Sequence, residues 1–536
     1  MVDRVSVLDT TLRDGAQREG ISFSVQDKLR IATRLDELGV GYIEGGWPGS
    51  NPKDAEFFSR AMQLPWQHAR IAAFGSTRHA NSDVAQDASV QAMLACGAPV
   101  AVLVGKASTM HVTQVLCTSL DENLAMIRDT VAYLKEQGRE VLFDAEHFFD
   151  GYRLDRDYAL AALRAAAEAG ADRLVLCDTN GGCLPSEVSR VVADVVRAFP
   201  GRSIGIHAHD DTGVAVANTL AAVEAGADHV HGTINGYGER CGNANLNTVI
   251  PNLELKMGIK ALANGDLSLL TQVSHYVTEI ANLLPDPHAP YVGQSAFTHK
   301  AGLHVSAMLR NPETYQHVRP ELVGNEMRVL VSELAGRSNI ALKLAELGLD
   351  SGLSPERIAA LAQQVKDRES LGYQYEGAEG SFELLVRRGE PDYYPPFEVL
   401  DFWVLVEKRL ASSIVSEATV KTSIDGMVMH TAAEGDGPVN ALDRAMRKAL
   451  LPFYPELAPV QLTDYKVRII DPQSATAAKT RVLIDASDGA RSWTTMGCSV
   501  NIIEASFEAL IDSLELPLLR RVPANKVTGP LEAAAQ

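Results

Sequence analysis

AGADRLVLCDTN at Ala169–Asn180 and AGADHVHGTIN at Ala225–Asn235 make the same local pattern twice. In each, a helical stretch stops at a glycine, a short apolar run follows, and polar residues stand where that run ends. Glycine suits the left-handed position that closes a helix. Working outward, apolar or β-branched runs recur at Ser6–Leu12, Tyr42–Trp47, Arg70–Phe74, Val100–Val104, Val141–Asp144, Leu174–Cys177, Ile204–His207 and His229–Thr233. Segments of helical periodicity separate them, among them Val25–Leu38, Asp121–Gln137, Arg156–Ala169 and Thr212–Ala225. Gly39, Gly97, Gly138, Gly170 and Gly226 punctuate the helix-to-strand junctions. Strands buried on both faces read as near-continuous apolar runs. Eight of them alternating with helices over about 250 residues predict an α/β (β/α)8 TIM barrel. The rival is a doubly wound open sheet, which no GxGxxG after the first strand supports.

Bulk properties bound the rest. A chain of 536 residues is long for one domain. With 46% hydrophobic and 22% charged residues it is ordinary globular material. A net charge of −19 has the wrong sign for broad contact with phosphate backbones, so no nucleic acid partner is expected. The six cysteines form no CxxC pair, which speaks against a zinc ribbon or a disulfide framework. No signal-peptide pattern and no bilayer-spanning apolar run is read, so the expectation is a soluble cytoplasmic protein with no membrane partner.

Active sites of barrel enzymes gather at the C-terminal ends of the strands. Taken strand by strand, those ends carry Arg13 and Asp14, Glu44, Lys106 with His111 beyond it, Glu146, Asp178 and Thr179, His207 and His209, then Asn235. Residues i and i+2 on a strand share a face, so His207 and His209 can converge on one ion, or simply make ordinary hydrogen bonds. Asp14 completes a mixed nitrogen and oxygen ligand set that leaves positions open. Such a set does not separate Mg2+, Mn2+, Zn2+ and Co2+. Asp210 and Asp211 follow the pair, and Asp211 is read as the cap of the helix from Thr212. The stretch GTINGYGERCGNANLN at Gly232–Asn247 is either a tight surface loop or one that approaches a ligand closely, with Asn243 offering an amide oxygen.

LDTTLRDGAQ at Leu8–Gln17, HAHDDTGVAVAN at His207–Asn218 and GYGERCGNANL at Gly236–Leu246 together resemble the 2-isopropylmalate, homocitrate and citramalate synthase group. These are relatives of lyases with an Asp-Arg-Glu signature on a metal-binding barrel. FDAEHFFDGY at Phe143–Tyr152 and LCDTNGGCLP at Leu176–Pro185 resemble the longer bacterial citramalate synthases. The resemblance implies a divalent metal ion, Mg2+ or Mn2+ before Zn2+ or Co2+, held by Asp14, His207 and His209 with Asn243 fourth. It implies condensation of acetyl-CoA with pyruvate, then thioester hydrolysis, releasing citramalate and CoA for isoleucine biosynthesis. Arg13 then stabilises the developing alkoxide, Thr179 binds the oxo-acid carboxylate, and Glu146 positions substrate or moves a proton. Gln17, Glu44 and His111 are implied pocket residues. The base for the acetyl methyl group is implied to involve His304, in HKAGLHVSAM, with Tyr315. In relatives that linker reaches over the partner subunit's active site, so a homodimer is expected. On periodicity alone, His304 is equally a helix-surface histidine.

The expected organisation is a catalytic barrel over 1–262, a mostly helical linker region over 263–390, an α+β regulatory and dimerisation domain over 391–521, and a disordered tail over 522–536. Within the third region, strand-like runs at Leu400–Val406, Ser413–Thr422, Asp464–Ile470 and Thr480–Ile484 join helices read from GDGPVNALDRAMRKAL at Gly435 and MGCSVNIIEASFEALIDSL at Met496. This resembles the duplicated strand–strand–strand–helix effector domain of the same synthases. Glycine-rich helix starts can present N–H groups to a carboxylate. Isoleucine is the effector consistent with citramalate, and a ligand-free dimerisation domain is the alternative. Two other function classes stay open beside the synthase, with 2-isopropylmalate or homocitrate synthase as its variants. One is an acyl-CoA lyase or aldolase on the same barrel, and the other a non-catalytic amino-acid sensor.

Overall fold

The computed structural model describes residues 2–263, 266–308, 310–332, 336–349, 353–408 and 414–521. Two compact units divide the chain: 1–297 with 316–327, and 298–315 with 328 onward. Among the described residues no helix is long and apolar enough to cross a membrane.

In the first unit eight parallel strands close in sequence order into a barrel. They are β1 (Ser6–Asp9), β2 (Tyr42–Gly46), β3 (Arg70–Ser76), β4 (Val100–Lys106), β5 (Glu140–Glu146), β6 (Arg173–Asp178), β7 (Ser203–Ala208) and β8 (His229–Gly232). Closure comes from β1 on β8, with Ser6 opposite His229 and Asp9 opposite Gly232. Alternate residues of each strand serve different cores. Leu8, Tyr42, Ala72, Phe74, Val100, Val102 and Leu142 pack together inside the barrel. Their neighbours Val7, Ile43, Ile71, Ala73, Ala101, Leu103, Val141 and Phe143 pack outward beneath the helices. The same alternation sends Glu44, Asp144, His207, His229 and His231 inward.

The helices follow from local chemistry. Val25–Leu38 begins at a capping box, in which Asp27 N–H donates to Ser24 Oγ at 3.2 Å and Ser24 N–H to Asp27 Oδ2 at 2.9 Å. Leu35 and Leu38, on its buried face, are fully covered. Gly39 ends it in the left-handed conformation at φ 92°. Gly97, Gly138, Gly170 and Gly226 also have positive φ. Asp36, in the last turn, accepts the backbone N–H groups of Gln67, His68 and Ala69 at 2.9, 2.8 and 2.7 Å. That carboxylate fixes the approach to β3.

The structure departs from the sequence reading at several points. β1 stops at Asp9 rather than Leu12, because Asp9 turns back to accept Thr11 N–H and Thr11 Oγ–H, both at 2.9 Å. The helix read from Thr212 starts at Ala215. Asp210, not Asp211, serves its entry, accepting Ala215 N–H at 2.8 Å, whereas Asp211 is engaged by Arg240. Residues 258–371 are less helical than their apolar spacing suggests. Helices Leu270–Ile280, Gly302–Met308, Arg337–Glu346 and Pro355–Ser370 alternate with turns and two-residue strands.

The second unit contains two antiparallel three-stranded sheets, Glu398–Lys408 with Ile414–Ile424 and Met427–Gly435, and Gln461–Ile469 with Thr480–Ser487 and Ser492–Ser499. Each is followed by a helix, Pro438–Leu450 and Ile502–Arg521. The glycine-bearing entry from Met496 is the end of a strand, and the helix that follows it begins at Ile502. Ala418, Val420, Val482 and Ile484 face a shared core with Leu442 and Leu510. Trp403, Leu405, Val428, Val467 and Ile469 are exposed within this unit. The tail read as disordered, 522–536, lies outside the described residues.

Asp36→Ala leaves three backbone donors without their charged acceptor. We expect it to lower the stability of the barrel unit by about 3 kcal/mol, since bonds to a charged group contribute roughly 1.5–3 kcal/mol each and are not additive. A fall in the urea midpoint checks this, with Asp36→Asn intermediate.

Candidate metal and substrate site

The C-terminal ends of β1 and β7 bring Asp14, His207 and His209 together. A carboxylate oxygen of Asp14 and one ring nitrogen of each histidine lie within 4.8 Å of one another, and all three residues are buried. Asp14 Oδ2 is 3.4 Å from His207 Nε2 and 3.9 Å from His209 Nε2. Asn243 stands beside them, because the chain pairs His209 with Asn243 in an isolated antiparallel bridge. Asp14 Oδ1 and Asn243 Oδ1 are buried and accept no hydrogen bond among the described residues. Two imidazoles, a carboxylate and an amide oxygen, the last two with unsatisfied lone pairs, fit a divalent cation.

Electrostatics prepare the cluster. Burial raises the Asp14 carboxyl, but Arg13 and the two imidazoles outweigh it and hold Asp14 well below the carboxylate range. Burial lowers His209 to about 4, with His207 adding to the effect. The His209 imidazole is thus suited to act as a neutral ligand. Arg13 Nε donates to Glu44 Oε2 at 2.7 Å, its Nη1 lies 3.4 Å from Asp14 Oδ2, and its guanidinium sits 4.1 Å above the Phe74 ring. Glu44 is fully buried and raised by that burial against the pull of Arg13. It orients Arg13 and has no exposed surface for a ligand. Deeper in the barrel, burial raises Asp144 to about 7.

The HMGL-like family model matches residues 4–277, the homocitrate synthase post-HMGL domain-like model 291–371, and the LeuA allosteric (dimerisation) domain model 376–518. The chain is 55% identical to the (R)-citramalate synthase of Streptomyces coelicolor, over 97% of each chain. It is 50% identical to that of Aquifex aeolicus over 97% of this chain and 99% of the relative. It is 53% identical to that of Synechocystis over 95% of each. The chain belongs to the citramalate synthase family.

Other residues singled out in this citramalate synthase relative fall in distinct places. Glu146, at the end of β5, forms a tight ion pair with Lys106 at the end of β4. Thr179 Oγ1 accepts His147 N–H at 2.8 Å, and the Thr179 carbonyl accepts Arg240 Nη2–H at 2.8 Å. His111 stacks on His147 with ring centroids 3.7 Å apart, and burial lowers its pKa, His147 and Lys106 adding to that. Gln17 is exposed and borders, with Arg13, a cavity of about 540 Å3 also lined by Lys28, Trp47 and Lys53. His304 and Tyr315 belong to the second unit, where their rings stack with centroids 4.1 Å apart. Two strand-end residues do structural work. Asp178 accepts Gly182 and Cys183 N–H within its own turn, and Asn235 donates to Ser274 O at 3.0 Å and Thr278 Oγ1 at 2.9 Å.

Sequence reasoning passed over His229 and His231. Their HxH spacing on β8 repeats that of His207 and His209 on β7, and this was the available signal. His231 Nδ1 lies 3.3 Å from His207 Nδ1.

Glu44→Ala removes the buried partner of Arg13, and breaking such a pair costs about 3–5 kcal/mol. We expect a thermal midpoint well below wild type. A Glu44→Met/Arg13→Met double variant should lose less than the sum of the two single variants, as a double-mutant cycle would read.

Proposed function

We propose that the chain condenses acetyl-CoA with pyruvate and hydrolyses the resulting thioester, releasing (R)-citramalate and CoA. The observation that carries this reading is the near-full-length identity to citramalate synthases. The convergence of Asp14, His207, His209 and Arg13 at one barrel mouth supports it. In this reading Asp14, His207 and His209 hold a divalent ion, Mg2+ or Mn2+ before Zn2+ or Co2+, with Asn243 as a fourth ligand. Bound there, the ion supplies Lewis acidity to a 2-oxo acid ketone.

The chain's own residues account for the rest. Arg13, fixed by Glu44 and Phe74, directs N–H groups at the ketone oxygen as it becomes an alkoxide, without reorganising during the reaction. Thr179 is assigned to the oxo-acid carboxylate and Glu146, through its pairing with Lys106, to substrate positioning or proton transfer. His304 with Tyr315 removes a proton from the acetyl methyl group, whose weak acidity demands a base. The resulting carbanion forms the new bond to the ketone carbon of pyruvate, and the alkoxide takes up a proton. Water then adds to the thioester carbonyl, and CoA leaves as the thiol. Gln17 and His111 line the approach for substrate.

The second unit is assigned regulation and homodimer formation. Its exposed apolar strand faces are the kind of surface that an oligomer covers. Isoleucine is the proposed effector, with the N-terminal ends of Pro438–Leu450, which follows Gly437, and of Ile502–Arg521 as carboxylate-binding ends. A cytoplasmic location fits this biosynthetic role.

With acetyl-CoA present, CoA thiol release should require a 2-oxo acid. Pyruvate should exceed 2-oxoisovalerate and 2-oxoglutarate, chelator should stop release, and isoleucine should slow it. A reversed substrate ranking would move the assignment to isopropylmalate or homocitrate synthesis. Arg13→Gln should lower kcat about 10²–10³-fold, the loss typical of one oxyanion donor, while the KM for acetyl-CoA changes little.

A further inference from the structure

Four imidazoles form a line inside the barrel. His209 Nε2 is 3.4 Å from His207 Nε2, His207 Nδ1 is 3.3 Å from His231 Nδ1, and His231 Nε2 is 3.0 Å from His229 Nε2. Both β8 histidines are buried, at 0% and 1% exposure, and His229 pairs across the barrel seam with Ser6 at the start of β1. The line therefore runs from the strand ends that carry Asp14 back toward the other end of the barrel.

A neutral imidazole has one N–H and one bare nitrogen, so each contact along the line needs one donor and one acceptor. Burial disfavours the charged form, and no carboxylate lies within hydrogen-bond reach of His231; the nearest, Asp144 Oδ2, is 4.0 Å away. With one proton per ring, only two arrangements satisfy both inner contacts. In the first, His207 Nδ1–H donates to His231, His231 Nε2–H donates to His229, and His207 Nε2 is left bare. In the second, every direction reverses and His207 Nε2 carries the proton toward Asp14. Only the first gives His207 a lone pair at the shared site.

We infer that His231, backed by His229, is a positioning residue that fixes the metal-binding tautomer of His207, and that the three rings change tautomer together. The donation of a ligand's second ring N–H to a fixed acceptor is what orients a metal-bound histidine and raises its basicity. Here the acceptor is another imidazole rather than a carboxylate or carbonyl. The inference rests on the reading that Asp14, His207 and His209 hold a divalent ion.

The test is metal binding by the full chain without substrates. Free Mn2+ is followed by electron paramagnetic resonance, and the bound site by Co2+ visible absorption. Asparagine at 231 places an amide oxygen where Nδ1 lies and can accept from His207, whereas leucine cannot. We expect His231→Leu to weaken Mn2+ binding about 10–100-fold and to shift the Co2+ bands. His231→Asn should stay close to wild type. Wild-type affinity and spectrum in a folded His231→Leu overturn the inference, as does an equal loss in His231→Asn, which would implicate volume rather than the acceptor. Should His231→Leu fail to fold, His229→Leu decides. That variant keeps His231 but removes its acceptor, so weaker Mn2+ binding is expected and an unchanged affinity overturns the inference. Asp14→Ala separates the two readings. If wild type binds Mn2+ and Asp14→Ala does not, the metal site stands whatever the β8 variants do. A wild type that binds neither ion removes the metal reading and this inference with it.

Discussion

The buried charge line Glu44–Arg13–Asp14 governs the architecture at the mouth of the barrel. Burying one ionised group in a protein interior costs several kcal/mol unless a partner meets it with good geometry. Here the partners come from β2 and from the turn after β1, strands that pair side by side in the barrel. Phe74 of β3 supplies the surface on which the guanidinium lies. Arg13 therefore cannot relax without disturbing three adjacent strands, and Asp14 inherits that rigidity. The positive charge also keeps Asp14 ionised where burial alone would favour its protonated form.

The barrel interior is accordingly divided. Apolar side chains from β1 to β5 fill one side, the rings of Tyr42 and Phe74 together with Ala72, Val100, Val102 and Leu142. Histidines of β7 and β8 occupy the other, with Asp144 nearby. The histidine-lined side contributes little hydrophobic stabilisation. Much of the cohesion must come from the outer layer, where alternate residues of every strand meet the helices, and from anchors such as Asp36. The separation lets inward positions be chosen for chemistry while outward positions keep the fold.

Legibility in the sequence followed this division. Outward residues and helix stops follow general rules, so the eight strands and the glycine ends at Gly39, Gly97, Gly138, Gly170 and Gly226 could be read from apolar runs and punctuation. Boundaries failed where a side chain intervened. Asp9 folds back on Thr11 and ends β1 early, and Asp210 rather than its neighbour meets Ala215 N–H. Position at a strand end was also an imperfect guide to chemistry. Asp178 and Asn235 satisfied the positional rule, but Asp178 is used up within its own turn and Asn235 in tying its loop to the helix Leu270–Ile280. Glu44 acts through Arg13, a pairing across 31 residues that periodicity cannot display.

Met496 and His231 show two ways in which local pattern misleads. MGCSV was joined to the amphipathic segment after it, yet register with Thr480–Ser487 draws Met496 into a third strand, and only tertiary pairing could reveal this. His231 lay inside a run read for its apolar character, so its imidazole drew no notice. Its significance depends on β7 and β8 being neighbours with their inward faces aligned. A single HxH can be two ordinary histidines. A second on the adjacent parallel strand, with ring nitrogens 3.3 Å from the first, couples the proton positions of both pairs. What one strand offers as a ligand is then conditioned by what the next strand accepts.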